Sequence, residues 1–293
     1  MKNILVTGSN GQVGSELQSL ASQYPHFHFV FTGSKELNIG NRQAIEQTFE
    51  LYKPDFCINC AAYTAVDKAE TEVEKARLIN ATGVAYLAKV CNQYGATLVH
   101  ISSDYVYHNQ INRPLLETDS TSPKGIYAKT KLEGDQLALA ANQDVIILRT
   151  SWVFSSFGHN FLKTMIRLGE ERDTLSVVYD QIGVPTYARD IANAILAIIQ
   201  KIDEGKEGVG GIYNFAPSGV TCWYDFARAI FEIESIDCQV NPIPTSAYPL
   251  PAPRPHYSIL NCAKIRKTFG IPIPYWRDSV RDCLTLLKTP SMM

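Results

Sequence analysis

A chain of 293 residues, 45% hydrophobic and 19% charged, can bury a full core and has room for one large or two smaller domains. A formal net charge of −2 leaves no basic footprint for nucleic acid or for an acidic membrane surface. No apolar run of eighteen residues occurs and Met1 leads straight into strand-like sequence, so neither a membrane span nor a signal peptide is expected, and the expected location is the cytoplasm.

Strand-like runs at 3–6, 27–31, 56–59, 97–102 and 145–148 alternate with helical stretches at 12–22, 42–52, 70–92 and 127–140. Such alternation predicts an α/β fold, a doubly wound parallel sheet of the Rossmann kind. Ligands of that architecture bind at the carboxyl ends of the strands, where Gly8, Ala61 and Ser103 fall. Beyond about Phe154 helical stretches at 160–169, 189–202, 224–234 and 263–269 are separated by proline-rich loops, which predicts a smaller C-terminal substrate lobe. The expected division is a dinucleotide-binding domain over 1–153, plus returning segments, and a mainly substrate-binding lobe over 154–293. Residues 241–256 are too rich in proline for regular structure; they either wrap the surface and deliver Arg254 or form a flexible linker.

Ile4-Leu5-Val6-Thr7-Gly8-Ser9-Asn10-Gly11-Gln12-Val13-Gly14 is an apolar strand running into a glycine-rich turn and a helix start. Gly8, Gly11 and Gly14 would allow a tight turn, close backbone approach to a pyrophosphate, and helix packed on strand. The helix N-terminus would offer N–H groups to the phosphates, so Asn10, Gln12 and Val13 join the expected cofactor contacts. A plain turn is the other reading of this run. The second signal is Tyr127 and Lys131, four apart and so on one helical face. Taken alone the pair reads equally well as a packed tyrosine with a solvated lysine. Behind a dinucleotide turn, and with Ser103 at a strand end facing it, the pair points to hydride transfer.

After the second strand the run Phe29-Val30-Phe31-Thr32-Gly33-Ser34-Lys35 lacks the acid that would grip a ribose 2′-hydroxyl. Ser34 and Lys35 are therefore assigned to a 2′-phosphate and NADPH is expected over NADH, although Glu36 stands close enough to work against the preference and NADH is kept as a second donor. Asn38 and Ile39 would border the adenine. Ala61, Ala62, Tyr63 and Ser102, at the ends of the third and fourth strands, complete the expected cofactor crevice. Cys57 and Cys60 form a Cys-x-x-Cys inside a buried-looking strand with no second ligand pair, so the cysteines are read as core thiols. His100 and His159 are given no acid-base role.

The turn and the Tyr-Lys pair resemble the extended short-chain dehydrogenase/reductases. Longer runs narrow the likeness: Asn59-Cys60-Ala61-Ala62-Tyr63-Thr64-Ala65-Val66-Asp67-Lys68-Ala69-Glu70, Asn80-Ala81-Thr82, Ser103-Asp104-Tyr105-Val106-Tyr107, Arg149-Thr150-Ser151-Trp152-Val153, Asp180-Gln181-Ile182-Gly183-Val184-Pro185-Thr186 and Arg254-Pro255-His256. Across nearly the whole chain these resemble the dTDP-4-dehydrorhamnose reductase family. The resemblance implies reduction of the C4 keto group of dTDP-4-dehydro-L-rhamnose, giving the activated sugar for surface polysaccharide. Tyr127 would then donate the proton, Lys131 would favour the phenolate and hold the nicotinamide ribose, and Ser103 would bind the carbonyl oxygen. Asp104 is either a substrate contact or a turn cap. Trp152 is assigned to the sugar ring or to the core, Asn160 and Gln181 to polar contacts with substrate, and Arg254 to the diphosphate.

Three other readings carry a discriminating feature. A 4,6-dehydratase would show Asp-Glu where this chain has Asp104-Tyr105, and an epimerase needs a second acid-base pair that is not identified. A non-catalytic subunit like the regulatory one of methionine adenosyltransferase would lack turnover. The C-terminal run from Cys283 to Met293 has no acidic residue, and Asp278 and Asp282 share a helical face with Arg277 and Arg281 beside them. No bound metal is therefore expected there, and a monomer or weak homodimer is expected in place of a magnesium-joined dimer.

Overall fold

The computed structural model describes residues 1–288. In chain order its first half runs β1 (Lys2–Thr7), α1 (Gln12–Leu20), β2 (Phe27–Thr32), α2 (Arg42–Tyr52), β3 (Phe56–Asn59), α3 (Val66–Ala69), α4 (Val73–Arg77), α5 (Gly83–Tyr94), β4 (Thr97–Ser103), α6 (Ile126–Ala141) and β5 (Ile146–Thr150). The second half runs β6 (Val153–Phe154), α7 (Phe161–Glu171), β7 (Thr174–Val178), β8 (Ile182–Gly183), β9 (Thr186–Tyr187), α8 (Ala188–Asp203), β10 (Gly211–Asn214), β11 (Thr221–Cys222), α9 (Trp223–Glu234), β12 (Gln239–Ile243), α10 (Ala263–Phe269) and α11 (Trp276–Lys288).

Six strands pair in parallel in the order β10-β5-β4-β3-β1-β2. Such a sheet is covered on both faces, so its strands read as near-continuous apolar runs; β3 and β5 are buried at every residue. On one face α1, α8 and α10 close over Ile4, Val6, Phe56 and Ile58; on the other α2 and α5 close over Leu5, Cys57 and Leu98. Strand order reverses between β1 and β3, which opens a crevice outside their carboxyl ends.

A second core lies beyond the sheet. There α7, α9 and α11 pack Leu162, Phe226, Ile230, Trp276 and Val280 against Tyr107, Phe154 and Leu260. Three two-stranded pairs, β6 with β9, β7 with β12 and β8 with β11, edge this core.

The structure corrects several sequence expectations. The chain returns to the large sheet as β10, a strand of four residues that was not delimited among the returning segments expected after 153. The single helix expected over 70–92 is broken into α4, a π-turn at Leu78–Thr82, and α5. The π-turn buries Asn80, and Gly83 lets the helix lie against the Ile39 carbonyl, where a Cβ would come within 2.8 Å. Residues 241–256 are not wholly irregular, since 241–243 end β12 with Pro242 opposite Val177. A two-stranded sheet has only edge strands, and edges tolerate proline. Helix α11 extends the fold where no complete helix was delimited, and the residues 289–293 that entered the metal expectation lie outside the described ones. All seven cysteines are free thiols.

Candidate active site

The turn after β1 is pressed against the end of β3. Gly8 has φ +65°, and a Cβ there would meet Ala61 N at 2.5 Å; one at Gly14 would meet the Gly8 carbonyl oxygen at 2.6 Å. Both positions therefore exclude a side chain on geometric grounds. Helix α1 begins at Gly11 with no side-chain cap, so the N–H groups of its first turn are unclaimed by any cap. Val13 itself is core. An uncapped helix start on a turn packed too closely for side chains at Gly8 and Gly14 fits a dinucleotide pyrophosphate.

The sites expected for the adenosine end are more mixed. Ser34 and Lys35 are exposed at the end of β2, as a 2′-phosphate contact requires. Glu36, however, folds back to accept the Gly33 N–H at 2.9 Å, beside the Asn10 amide. Asn38 turns its side chain onto the Gly40 N–H, and the Ile39 side chain is core. Tyr63 is fixed by Asn80, which accepts its N–H at 2.8 Å and donates to its carbonyl at 3.1 Å. That contact explains the Asn80-Ala81-Thr82 run. Ala61 and Ala62 stay half-buried beside the Gly8 turn, whereas the Ser102 hydroxyl is buried facing Asp135.

Tyr127 and Lys131 project from the first turns of α6, whose start is held by Glu70 accepting the Ile126 N–H at 2.8 Å. Lys131 is buried and donates to the Ile101 carbonyl at 2.7 Å. Burial lowers its ammonium to about 8, against the pull of Asp135 one turn on. Burial also pushes the Tyr127 phenol up to about 12, with Ser103 lowering it and Asp104 raising it. Tyr105 meets the Tyr127 ring edge-on at 5.7 Å. The Ser103 hydroxyl accepts the Tyr105 N–H at 3.2 Å and donates to Asp104 Oδ1 at 3.1 Å.

Asp104 is 2% exposed, with Oδ2 unpartnered among the described residues. Burial raises its carboxyl to about 7, with the Ser258 and Ser103 hydroxyls working the other way. Behind it lies a buried chain that sequence reading missed. Asp135 takes Arg149 Nε at 3.1 Å, Arg149 donates to the Tyr107 hydroxyl at 2.9 Å, and Tyr107 donates to Asn214 at 3.1 Å. The one available signal was that Asp135 continues the Tyr127 and Lys131 face at the next four-residue step.

On the lobe side Trp152 is held at φ +45°, a rare backbone state for a bulky residue. Its ring stacks on Trp223 at 3.7 Å and 13°, and Gly183 makes room for its edge. Trp223 donates to Gln181, and Gln181 to Thr245, so Gln181 is committed to the wall. Asn160 is likewise spent inside the chain. It caps α7 through Lys163 N and donates to Gln12 and the Ser155 carbonyl, which ties the lobe to the glycine turn. Arg254 reaches the crevice margin, where its charge is felt by Tyr105. It pairs there with Asp67 at 2.7 Å, and Asp67 also accepts the Ala252 N–H at 3.1 Å. The Ala-Val-Asp-Lys-Ala-Glu run is thereby accounted for: Asp67 anchors the proline-rich segment and Glu70 anchors α6. Among the described residues no group of three or more His, Cys, Asp or Glu is arranged to hold a metal.

The arrangement offers a hydroxyl beside a phenol, a buried lysine on the same helix as the phenol, and an uncapped helix start. That is equipment for carbonyl reduction by a nicotinamide cofactor. The profile of the RmlD substrate binding domain matches residues 1–289. A dTDP-4-dehydrorhamnose reductase of Escherichia coli K12 is 40% identical over 295 aligned positions, covering 98% of each chain. Two solved structures share the fold over 98% of this chain and all of theirs. One is a dTDP-4-dehydrorhamnose reductase of Clostridium acetobutylicum, with a TM-score of 0.92 at 39% identity. The other is that of Bacillus anthracis in complex with NADP, with a TM-score of 0.91 at 34% identity.

Proposed function

Since the chain belongs to the RmlD substrate binding domain family, we infer that it performs the reaction for which its relatives are named, the NADPH-dependent reduction of dTDP-4-dehydro-L-rhamnose to dTDP-L-rhamnose. The observations that carry this are that Ser103 at the end of β4 lies against Tyr127 while Lys131, four residues on along α6, reaches the Ile101 carbonyl of β4, in a chain aligned with such a reductase over 98% of its length. When bound, NADPH supplies the hydride for C4 of the sugar.

The roles of individual residues are proposed from their surroundings. Tyr127 gives its proton to the oxygen at C4; a phenol held near 12 stays protonated at neutral pH and is a competent acid for an alkoxide. Ser103, whose one proton rests on Asp104 Oδ1 in the free protein, turns it to the same oxygen as negative charge gathers there. Lys131, cationic below about 8, stabilises the phenolate left behind and addresses the nicotinamide ribose. The backbone of Gly11, Gln12, Val13 and Gly14 takes the pyrophosphate of the cofactor, while Ser34 and Lys35 take the 2′-phosphate. Arg254, preset by Asp67, binds the diphosphate of the dTDP-sugar. Trp152, backed by Trp223, walls the sugar ring, and Asp104 meets a sugar hydroxyl.

The division of labour proposed for the chain follows the two cores, the six-stranded sheet with its helices for the dinucleotide and the α7, α9, α11 lobe for the sugar nucleotide. No described helix is long and apolar enough to cross a membrane. We place the enzyme in the cytoplasm as a monomer or weak homodimer. Oxidation of NADPH by the purified protein on addition of dTDP-4-dehydro-L-rhamnose tests the reading. A folded protein that binds NADPH and turns nothing over would be a binding subunit.

A further inference from the structure

His100 is wholly buried on β4, between Asn59 on β3 and Lys131 on α6. Asn59 Nδ2 lies 3.0 Å from its Nδ1, and Lys131 Nζ lies 3.5 Å from its Nε2. The way Asn59 points is decided elsewhere. Its Oδ1 accepts the Ala61 backbone N–H at 3.1 Å and the Thr7 hydroxyl at 2.6 Å. A backbone N–H can only donate, so the amide oxygen belongs on that side and the amide nitrogen faces the ring. Nδ1 must then be the lone-pair nitrogen. Burial holds the imidazole neutral, so its single proton sits on Nε2 and is directed at Lys131.

Building on the reductase reading, we propose that His100 is a positioning residue for Lys131: its Nε2–H closes the β4 side of the amine, so the N–H bonds left after the Ile101 carbonyl is satisfied turn into the crevice beside Tyr127. A lysine with an acceptor on that side would spend a proton there. Here a donor faces it, and the amine can share protons only with Ile101 and with whatever occupies the crevice. The same contact disfavours the ammonium, adding to burial. The other charged or titratable groups around Lys131 are Tyr127 and Asp135 on α6, Asp104 just after β4, and Arg149 on β5 acting through Asp135. Of these Asp135 opposes the effect.

The direct test is the histidine tautomer. In protein carrying 15N-histidine, long-range proton–nitrogen correlation resolves Nδ1 from Nε2 for each of the six histidines. His100, assigned by its absence from His100→Leu or by sequential connectivity, should show a proton on Nε2 alone, unchanged from about pH 6 to about pH 9, since burial keeps the ring from titrating. A proton on Nδ1, or a ring that titrates in that range, overturns the proposal. Two variants carry it to turnover. His100→Leu removes the donor, and Asn59→Leu keeps the ring but releases its tautomer. In either, the alkaline limb of kcat should move up by roughly half to one pH unit, the scale of one close neighbour. A limb that stays put in folded variants overturns the proposal as well. The tautomer is read on the wild-type protein without substrate, so absence of any turnover would count against the reductase reading and leave this measurement intact.

Discussion

Asp104 makes a stability prediction that can be worked through from its surroundings. It is buried, its Oδ1 receives the Ser103 hydroxyl, its Oδ2 has no partner among the described residues, and its carboxyl is raised from 3.8 to about 7. An acid whose folded value lies above its unfolded one binds its proton more tightly in the folded chain. Its favourable contribution is complete below about pH 4 and is lost as pH climbs through about 7. Each pKa unit is worth ~1.4 kcal/mol, so a gap of about three units amounts to about 4 kcal/mol by pH 8. That is a large part of a domain stability of about 5–15 kcal/mol. Asp104→Asn keeps the shape and deletes the titration. The amide carries a fixed hydrogen-bonding cost of its own, so the observable is how the difference between the two proteins changes with pH. Urea unfolding at pH 5 and pH 8 should show Asp104→Asn gaining on the wild type by about 2–3 kcal/mol across that interval, while kcat/KM falls. A difference that stays constant, or one that turns against the variant at the higher pH, would refute the reasoning from burial.

Three further outcomes follow from named contacts. Glu36→Gln keeps an acceptor for the Gly33 N–H and removes a negative charge from the 2′-phosphate site; at about 1 kcal/mol for such a charge pair, KM for NADPH should fall roughly fivefold with little change for NADH. Equal effects on the two cofactors in steady-state kinetics would take Glu36 out of the site. Arg254→Met should raise KM for the dTDP-sugar tenfold or more, the scale of a lost charge-assisted hydrogen bond of about 1.5–3 kcal/mol, while kcat is largely kept; an unchanged KM would leave Arg254 as a mere anchor for Asp67. On α11 Asp278 is paired with Arg281, so light scattering and turnover should be indifferent to EDTA, and a dimer that dissociates on chelation would contradict the metal-free reading.

The parts of this site written in short spacings were legible in the sequence. Gly8, Gly11 and Gly14 lie within one turn, and Tyr127 and Lys131 within one turn of helix, so local geometry alone placed them. Residues whose roles depend on partners far along the chain were not. Arg254 meets Asp67 across 187 positions and Asn160 meets Gln12 across 148, through crossovers that no periodicity encodes. Arg254 was assigned to the diphosphate and Asn160 to a polar contact with substrate without those partners in view. His100 looked inert because a histidine in a buried strand is ordinary, and its neighbour Lys131 arrives from a helix thirty-one positions away. The edge strand β10 escaped because four residues, the first of them glycine, carry almost no alternation to detect.

The central claim is that Tyr127 protonates the C4 oxygen of a keto sugar reduced by NADPH. Turnover of dTDP-4-dehydro-L-rhamnose by the wild type and by Tyr127→Phe, followed by NADPH absorbance with the product checked as dTDP-L-rhamnose, tests it most directly. The account predicts one NADPH oxidised per sugar reduced, and a kcat roughly a hundredfold or more lower in a variant that folds and binds NADPH normally. Near-normal turnover without the phenol would contradict it.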